Sequence, residues 1–327
     1  MLDALSPSEF ELLRCPSTHE RLRLDPARPV LVASAQRYPV LQEEGASFVD
    51  FLDESLLGAE AGAQKRIYER EESLYVAQLR DDRALVQRMV EDFSRGRVKN
   101  KDELLHRVMK QQRVASSSVA LEIGCNDGRF VNVFAALHQC RGIGVDLSER
   151  AIRRALQSRP AGLRTQFHVA EGARLPVASG SVRCVLAFDV FEHLGHEGVR
   201  AVVAECARVL EPGGTLLAYV ISRKDRYTLH ETFRRVSGGA LGVDQGEGHV
   251  YENFLLPDEL RDVARACGLE VIELCAYHGF WTLFAEEHLG NRPPAWVYPV
   301  LRLLDYPLTR NEHGNGFLAV VKKEAGS

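Results

Sequence analysis

Short apolar runs alternate with helically spaced stretches from residue 119 onward, and that alternation sets the fold expectation. Residues 119–123 (VALEI), 143–145 (IGV), 167–170 (FHVA), 184–188 (CVLAF), 215–221, 269–277 and 317–321 are short and almost continuously apolar. Runs of this kind read as strands buried on both faces. Between them, Phe130 to Leu137 carries apolar residues at helical spacing, and Ser148 followed by Glu149 reads as a helix cap with an acid in the first turn. Further helices are expected to end at Arg208-Val209-Leu210 and to begin at Leu256-Pro257-Asp258-Glu259. A turn is expected over Glu211 to Gly214. Strand alternating with helix predicts an α/β fold around a largely parallel sheet.

The chain divides into three parts on the same evidence of pattern. Residues 1–54 read as a small β-rich unit of their own. Residues 55–114 are charge-dense and proline-free, with Ile67, Leu74, Leu85, Met89, Val90 and Phe93 at roughly helical intervals. Two or three helices are expected there, broken near Ser94-Arg95-Gly96. The main domain covers 115–327, joined through Ala115-Ser116-Ser117-Ser118. It carries two insertions, a glycine-rich one at 223–256 and an aromatic one at 279–313 with Trp281, Trp296, Tyr298 and Tyr306 among prolines. Both make poor packed core and read as substrate covers.

The candidate chemistry sits between residues 119 and 146. Gly124-Cys125-Asn126-Asp127-Gly128 joins a strand to a helix, where a glycine-bearing turn lets backbone approach a ligand beside free N–H groups. The next strand ends in Asp146, eighteen residues after Gly128, where a nucleotide-binding βαβ unit places the carboxylate for ribose hydroxyls. Glu122 would repel a pyrophosphate but suits a ligand with an ammonium group. Composition adds only bounds. A net charge of −4 gives no reason to expect a polyanion partner, and seven scattered cysteines fit a reduced cytoplasm. No apolar run approaches the ~18 residues of a membrane span, and no signal peptide is evident.

This pattern resembles the class I S-adenosylmethionine (SAM)-dependent methyltransferases, whose first motif runs acidic-x-Gly-x-Gly-x-Gly. Asn126 stands in the place of the middle glycine, and Asn tolerates left-handed backbone better than most residues. The resemblance implies a Rossmann-like sheet of order 3-2-1-4-5-7-6 with the last strand antiparallel, and SAM as cofactor. It assigns cofactor contacts to Glu122, Gly124, Cys125, Asn126, Gly128, Asp146 and Leu147, then to Glu171, Gly172, Ala173 and Asp189. Glu171 replaces the commoner Asp of the motif that holds the adenine amino group. The helices of 55–114 would lie over the cofactor mouth as a lid.

Methyl transfer needs alignment and, commonly, a base at the strand ends. His249 and His193 are the candidates, because imidazole titrates near neutral pH; His230 and His278 are further pocket residues. Asp189, Glu192, His193 and His249 together resemble a set in ubiquinone-pathway O-methyltransferases and small-RNA 2′-O-methyltransferases. There the set is linked to a divalent ion near the acceptor hydroxyl. A plain histidine base is the preferred reading over a metal. Leu12-Leu13-Arg14-Cys15-Pro16, Leu22-Arg23-Leu24 and Tyr38-Pro39-Val40 look like a small zinc-ribbon (Trm112-like) module. Of its two Cys-x-x-Cys knuckles only Cys15 remains, with His19 the nearest second ligand, so no structural zinc is expected. The resulting expectation is a cytoplasmic biosynthetic enzyme that O-methylates a small hydroxylated natural product, sugar or quinone-like ring. N- or C-methylation follows behind it, since an Asn-Asp-Gly loop also occurs in deoxysugar C-methyltransferases. An RNA acceptor is weaker because neither insertion is basic enough. A non-catalytic SAM-fold partner protein is opposed by the intact cofactor set.

Overall fold

The computed structural model describes residues 10–25, 27–34, 36–43, 45–69, 83–94, 100–223, 232, 235–238, 253–289, 294 and 296–325. The N-terminal part forms a four-stranded antiparallel sheet of β1 (Arg23–Leu24), β2 (Val30–Ala33), β3 (Gln36–Glu43) and β4 (Ala46–Val49), in chain order. Among the described residues, helices α1 (Ala59–Glu69), α2 (Arg83–Ser94) and α3 (Asn100–Gln111) follow.

The main domain runs β5 (Val119–Ile123), α4 (Arg129–His138), β6 (Arg141–Asp146), α5 (Glu149–Ser158), β7 (Thr165–Val169) and β8 (Val182–Phe188). It continues with α6 (His196–Val209), β9 (Leu210–Ile221), α7 (Pro257–Ala266) and β10 (Leu269–Tyr277). The hairpin α8 (Phe280–Leu289) and α9 (Val297–Thr309) precedes β11 (Gly316–Lys323). The sheet order is β10-β11-β9-β8-β5-β6-β7, with β11 antiparallel to both neighbours and the rest parallel. Numbered from the first strand of this sheet, that is the expected 3-2-1-4-5-7-6.

The strand residues explain why the sheet needs cover on both sides. Leu121, Ile123, Val185 and Ala187 belong to one buried cluster, while Ala120, Cys184 and Leu186 belong to another. The period of two thus sends apolar side chains to both faces. Helices α6 and α7 supply Val202, Val203 and Leu260 to the first cluster. The second is closed by Val133 and Phe134 of α4, Phe93 of α2, and Leu105 and Met109 of α3. Here the structure corrects the lid expectation: α2 and α3 complete the core, and α1 alone of these helices lies at the ligand cleft.

A second correction concerns the N-terminal part, which is not a separate unit. Its Leu13, Cys15, Leu31, Tyr38 and Phe51 share one core with the sheet, and Phe48 packs with Phe167 and Val169. Asp50 extends the sheet in parallel beyond β7, and the Phe51 N–H donates to the Val169 carbonyl at 2.9 Å. Two more backbone bonds, Arg14 to Pro176 and Ala178 to Leu12, each of 3.0 Å, stitch the neighbouring segment. The module thereby covers an edge strand whose open N–H and C=O row would otherwise invite mispairing. Cys15 is a core residue whose sulfur lies 3.1 Å from the Tyr38 hydroxyl, and no metal-binding group of three His, Cys, Asp or Glu occurs among the described residues.

Smaller differences have local causes. Residues 211–214, expected as a turn, do turn out of the ladder within the bounds of β9: four residues stand opposite Arg183 alone, between the Val182–Leu210 and Cys184–Thr215 pairs, and Gly213 is left-handed at φ 76°. Within 279–313, residues Phe280–Leu289 and Val297–Thr309 are helical. Pro299 falls in the first turn of α9, where a missing N–H costs no helix bond. Buried Asp305 accepts from the Trp281 and Thr282 N–H groups, both at 2.9 Å, and so caps α8. Among the described residues none of 279–313 lines the ligand cleft, which removes the basis for reading it as a substrate cover. As expected, Ser148 caps α5 through the Ala151 N–H at 3.1 Å, and Glu259 accepts from the Leu256 N–H at 2.7 Å to open α7.

His168 fastens the module to the sheet, since its Nδ1 accepts the Val49 N–H at 3.2 Å inside the Phe51 contact. Burial pushes its pKa down to about 3, so the fold holds it neutral. The stability this supplies is complete above the ordinary value of 6.5 and is lost as pH falls toward 3. His168→Asn keeps an acceptor for Val49. It should therefore flatten the fall of unfolding free energy between pH 6.5 and 3 by up to about 1.4 kcal/mol per pH unit. Urea titrations of both proteins across that range check it, and parallel slopes would refute it. Chelator-free protein should also carry less than one equivalent of zinc by elemental analysis, with Cys15→Ser changing nothing.

Candidate active site

The carboxyl ends of β5, β6 and β8 open into a cleft of about 930 Å³, roofed by α1. This is where an open parallel sheet binds ligands. The loop after β5 enters it through three left-handed residues, Gly124 (φ 67°), Asn126 (φ 47°) and Gly128 (φ 73°). Asn126 thus takes the conformation for which it was singled out. Gly128 is needed for space as well, because a Cβ there would stand 2.5 Å from the Phe167 ring.

Asp146 organises this loop. Its carboxylate accepts from the Asn126 N–H and the Ser148 N–H, each at 2.9 Å, and the Asn126 side chain in turn accepts from Arg154 at 2.9 Å. Burial raises the Asp146 pKa, while the two backbone donors work against that rise. A carboxylate has about four acceptor positions, so ribose hydroxyls can still be received on the cleft side. Glu122, only 2% exposed, lines the cleft and spends one oxygen on the Val131 N–H at 2.9 Å, near the start of α4. Burial holds its pKa well above the ordinary carboxylate range. The residue therefore serves the helix start as well as any ligand.

Cys125, Leu147, Gly172, Ala173 and Asp189 all line the same cleft, so the sequence-assigned residues do converge. Glu171 also lines it, paired with Arg174 at 2.7 Å. Asp189 sits at φ 53°, an unusual conformation for a side chain with a Cβ, at the end of β8. His193 reaches the cleft with its Nε2 3.4 Å from the Tyr68 hydroxyl, and Glu192 is fully buried beside it. Buried His278 does not line the cleft; its ring packs on Tyr277 at 4.7 Å. His249 and His230 lie outside the described residues. Of the set Asp189, Glu192, His193 and His249, the first three line the cleft, and nothing described bears on the fourth.

Helix α1 lies over the cleft as the lid expectation has it, but none of its residues was singled out for the site. Glu60 accepts the Gly195 N–H at 2.6 Å, and Glu69 accepts the Glu149 N–H at 3.0 Å, pinning both ends of the helix. Ala61, Gln64, Lys65 and Tyr68 face the cleft. Their i, i+3, i+4, i+7 spacing was a readable signal, but two of the four are plainly polar, so an apolar search passes over them.

The donor set suits a nucleoside that carries a cationic arm. Acids surround the cleft, and its Lys65 and Arg129 are both engaged, with Glu54 and with Asp127 at 2.7 Å. A pyrophosphate would meet that acidic wall, whereas SAM brings ribose hydroxyls, an ammonium and a sulfonium. Sheet order and cleft together define a class I methyltransferase fold. Residues 120–214 match the family model described as a methyltransferase domain. Among curated relatives, the ubiquinone biosynthesis O-methyltransferase of Marinobacter nauticus is 29% identical over 160 residues, covering 47% of this chain and 65% of the relative. That of Cupriavidus pinatubonensis is 30% identical over 158 residues, covering 47% and 61%. The chain therefore spans less than two thirds of either relative. Among solved structures, magnesium protoporphyrin IX methyltransferase from Synechocystis PCC 6803 is 13% identical, with a TM-score of 0.45 over 81% of this chain and 95% of that one.

Asp146→Ala should weaken SAM binding by one or two charge-assisted hydrogen bonds, about 1.5–3 kcal/mol each. Titration calorimetry on the folded variant checks this, and unchanged SAM affinity, or tight NAD binding by the parent, would end the assignment.

Proposed function

We propose that this protein is a SAM-dependent methyltransferase that transfers a methyl group to a hydroxyl of a small molecule, with a quinone-like or other hydroxylated ring ahead of a sugar. The observation that carries the reading is a cleft lined by the Asp146 loop together with Asp189 and His193. Its ~930 Å³ is at the upper end of ordinary ligand sites, with room for an acceptor beside the cofactor. The names of the matched relatives support oxygen over nitrogen or carbon as the atom methylated.

SAM, when bound, supplies an activated methyl on a sulfonium. The chain's part is to hold, align and deprotonate. Asp146 would take the ribose hydroxyls, Glu171 to Ala173 the adenine edge, and Glu122 the ammonium end. Asp189 and Leu194 shape the wall where the acceptor must sit, and α1 excludes water above it. His249 is assigned as the general base, with His193 as the second imidazole at the site and Tyr68 orienting it.

As a base, His249→Ala should lower kcat by roughly 10²–10⁴ while SAM binding holds, and chelator should do nothing. A divalent ion would instead make turnover sensitive to EDTA, restorable by Mg²⁺, with Glu192→Gln as damaging as His249→Ala. Release of S-adenosylhomocysteine against pooled hydroxylated metabolites is the readout. Turnover within a few-fold of the parent in His249→Ala would remove both roles.

A further inference from the structure

The α8–α9 hairpin is not accounted for by the cofactor site, and its outer surface has an unusual composition. Trp296, just before α9, and Val300, Leu303, Leu304 and Tyr306 on it are all exposed, Trp296 by 73% and Leu303 by 71%. Their spacing places them on one broad face of the helix, opposite buried Tyr298 and Asp305. An outward helix face is ordinarily charged, so this one is inverted. Trp281 and Phe284 of α8 are exposed as well, which extends the apolar surface.

Charge decides what could cover it. Between Trp296 and Arg310 the sole acid is Asp305, and it is buried as the cap of α8. The exposed charges on this stretch are Arg302 and Arg310, of which Arg302 also reaches Glu103 of α3 at 2.7 Å. Apolar side chains with Trp and Tyr toward the two ends, and arginines without exposed acids, are the composition of a helix that lies in a membrane interface. A second copy packed face to face would set arginine against arginine. A partner helix would need a groove, whereas Leu303 at 71% exposure stands on a ridge.

We propose that the outer face of α9, continued by Trp281 and Phe284, docks the protein onto an anionic lipid surface. The helix lies in the headgroup region, buries its apolar ridge and points Arg310 at lipid phosphates, while Arg302 stays paired with Glu103. No helix among the described residues is long and apolar enough to cross a membrane, so the attachment is peripheral. It is independent of the catalytic reading, since no described residue of the hairpin lines the cleft.

The test is co-sedimentation of the full chain with extruded phosphatidylcholine vesicles, with and without about one third phosphatidylglycerol. Binding should be strong on the anionic vesicles, weak on the neutral ones, and reduced by salt. Leu303→Glu should weaken it by about ten- to a hundred-fold, and Arg310→Glu by a smaller factor. Thermal unfolding and SAM binding should stay at parent values in both, which separates lost docking from lost fold. The chain has two tryptophans, so Trp281→Phe isolates Trp296, whose emission should shift to the blue on the anionic vesicles. No sedimentation with either vesicle would overturn the proposal. So would a parent dimer in light scattering that Leu303→Glu converts to monomer, which would assign the face to a second copy.

Discussion

The carboxylate of Asp146 is the constraint around which the site is arranged. It ends β6 and holds the Asn126 N–H of the loop leaving β5 and the Ser148 N–H at the start of α5. One side chain thus ties two crossovers together at the level where the strands stop. The left-handed Asn126 costs free energy in isolation, and the Asp146 and Arg154 hydrogen bonds on its backbone and side chain are what over-determine it. Burial opposes the charge on Asp146 and the two backbone donors favour it, so a ligand adding hydroxyl donors would push the balance further toward the ionised form.

Covering the sheet explains where the rest of the chain goes. A seven-stranded sheet with apolar residues on both faces demands helices on both, and this chain recruits α2 and α3 for one of them. At the β7 end the N-terminal module takes the exposed edge, with Asp50 and Phe51 continuing the sheet and His168 receiving Val49. A reading of Cys15 as a metal relic is unnecessary for its placement, since a buried thiol beside the Tyr38 hydroxyl is adequate packing.

The parts legible in the sequence were those set by local pattern. Runs such as residues 184–188 announce doubly buried strands, and the loop 124–128 with Asp146 announces a cleft at the strand ends, because local pattern and spacing carry both. What escaped was set by contacts far apart in sequence. Val49 and His168, or Phe48 and Phe167, meet across more than a hundred residues, and nothing in either segment names the other. The helices within 279–313 were not announced either, and α9 carries Pro299 in its first turn and Pro307 in its interior. Polarity misled in α1, whose inward face carries Gln64, Lys65 and Tyr68 because it meets a ligand rather than a core.

That polarity bears on how the cleft can open. A lid held by several buried apolar side chains would cost many kcal/mol to lift. Helix α1 is instead fastened to its neighbours by two carboxylates, Glu60 on the Gly195 N–H and Glu69 on the Glu149 N–H. Both acceptors meet backbone at helix N-termini, just before α6 and at the first residue of α5, where the helix dipole favours negative charge. Hydrogen bonds of this kind contribute about 1–3 kcal/mol each, and less where water competes. Both together hold Tyr68 beside His193. With the Lys65–Glu54 pair between them, these contacts fix α1 over the cleft largely by polar interactions, which is why its inward face can remain polar.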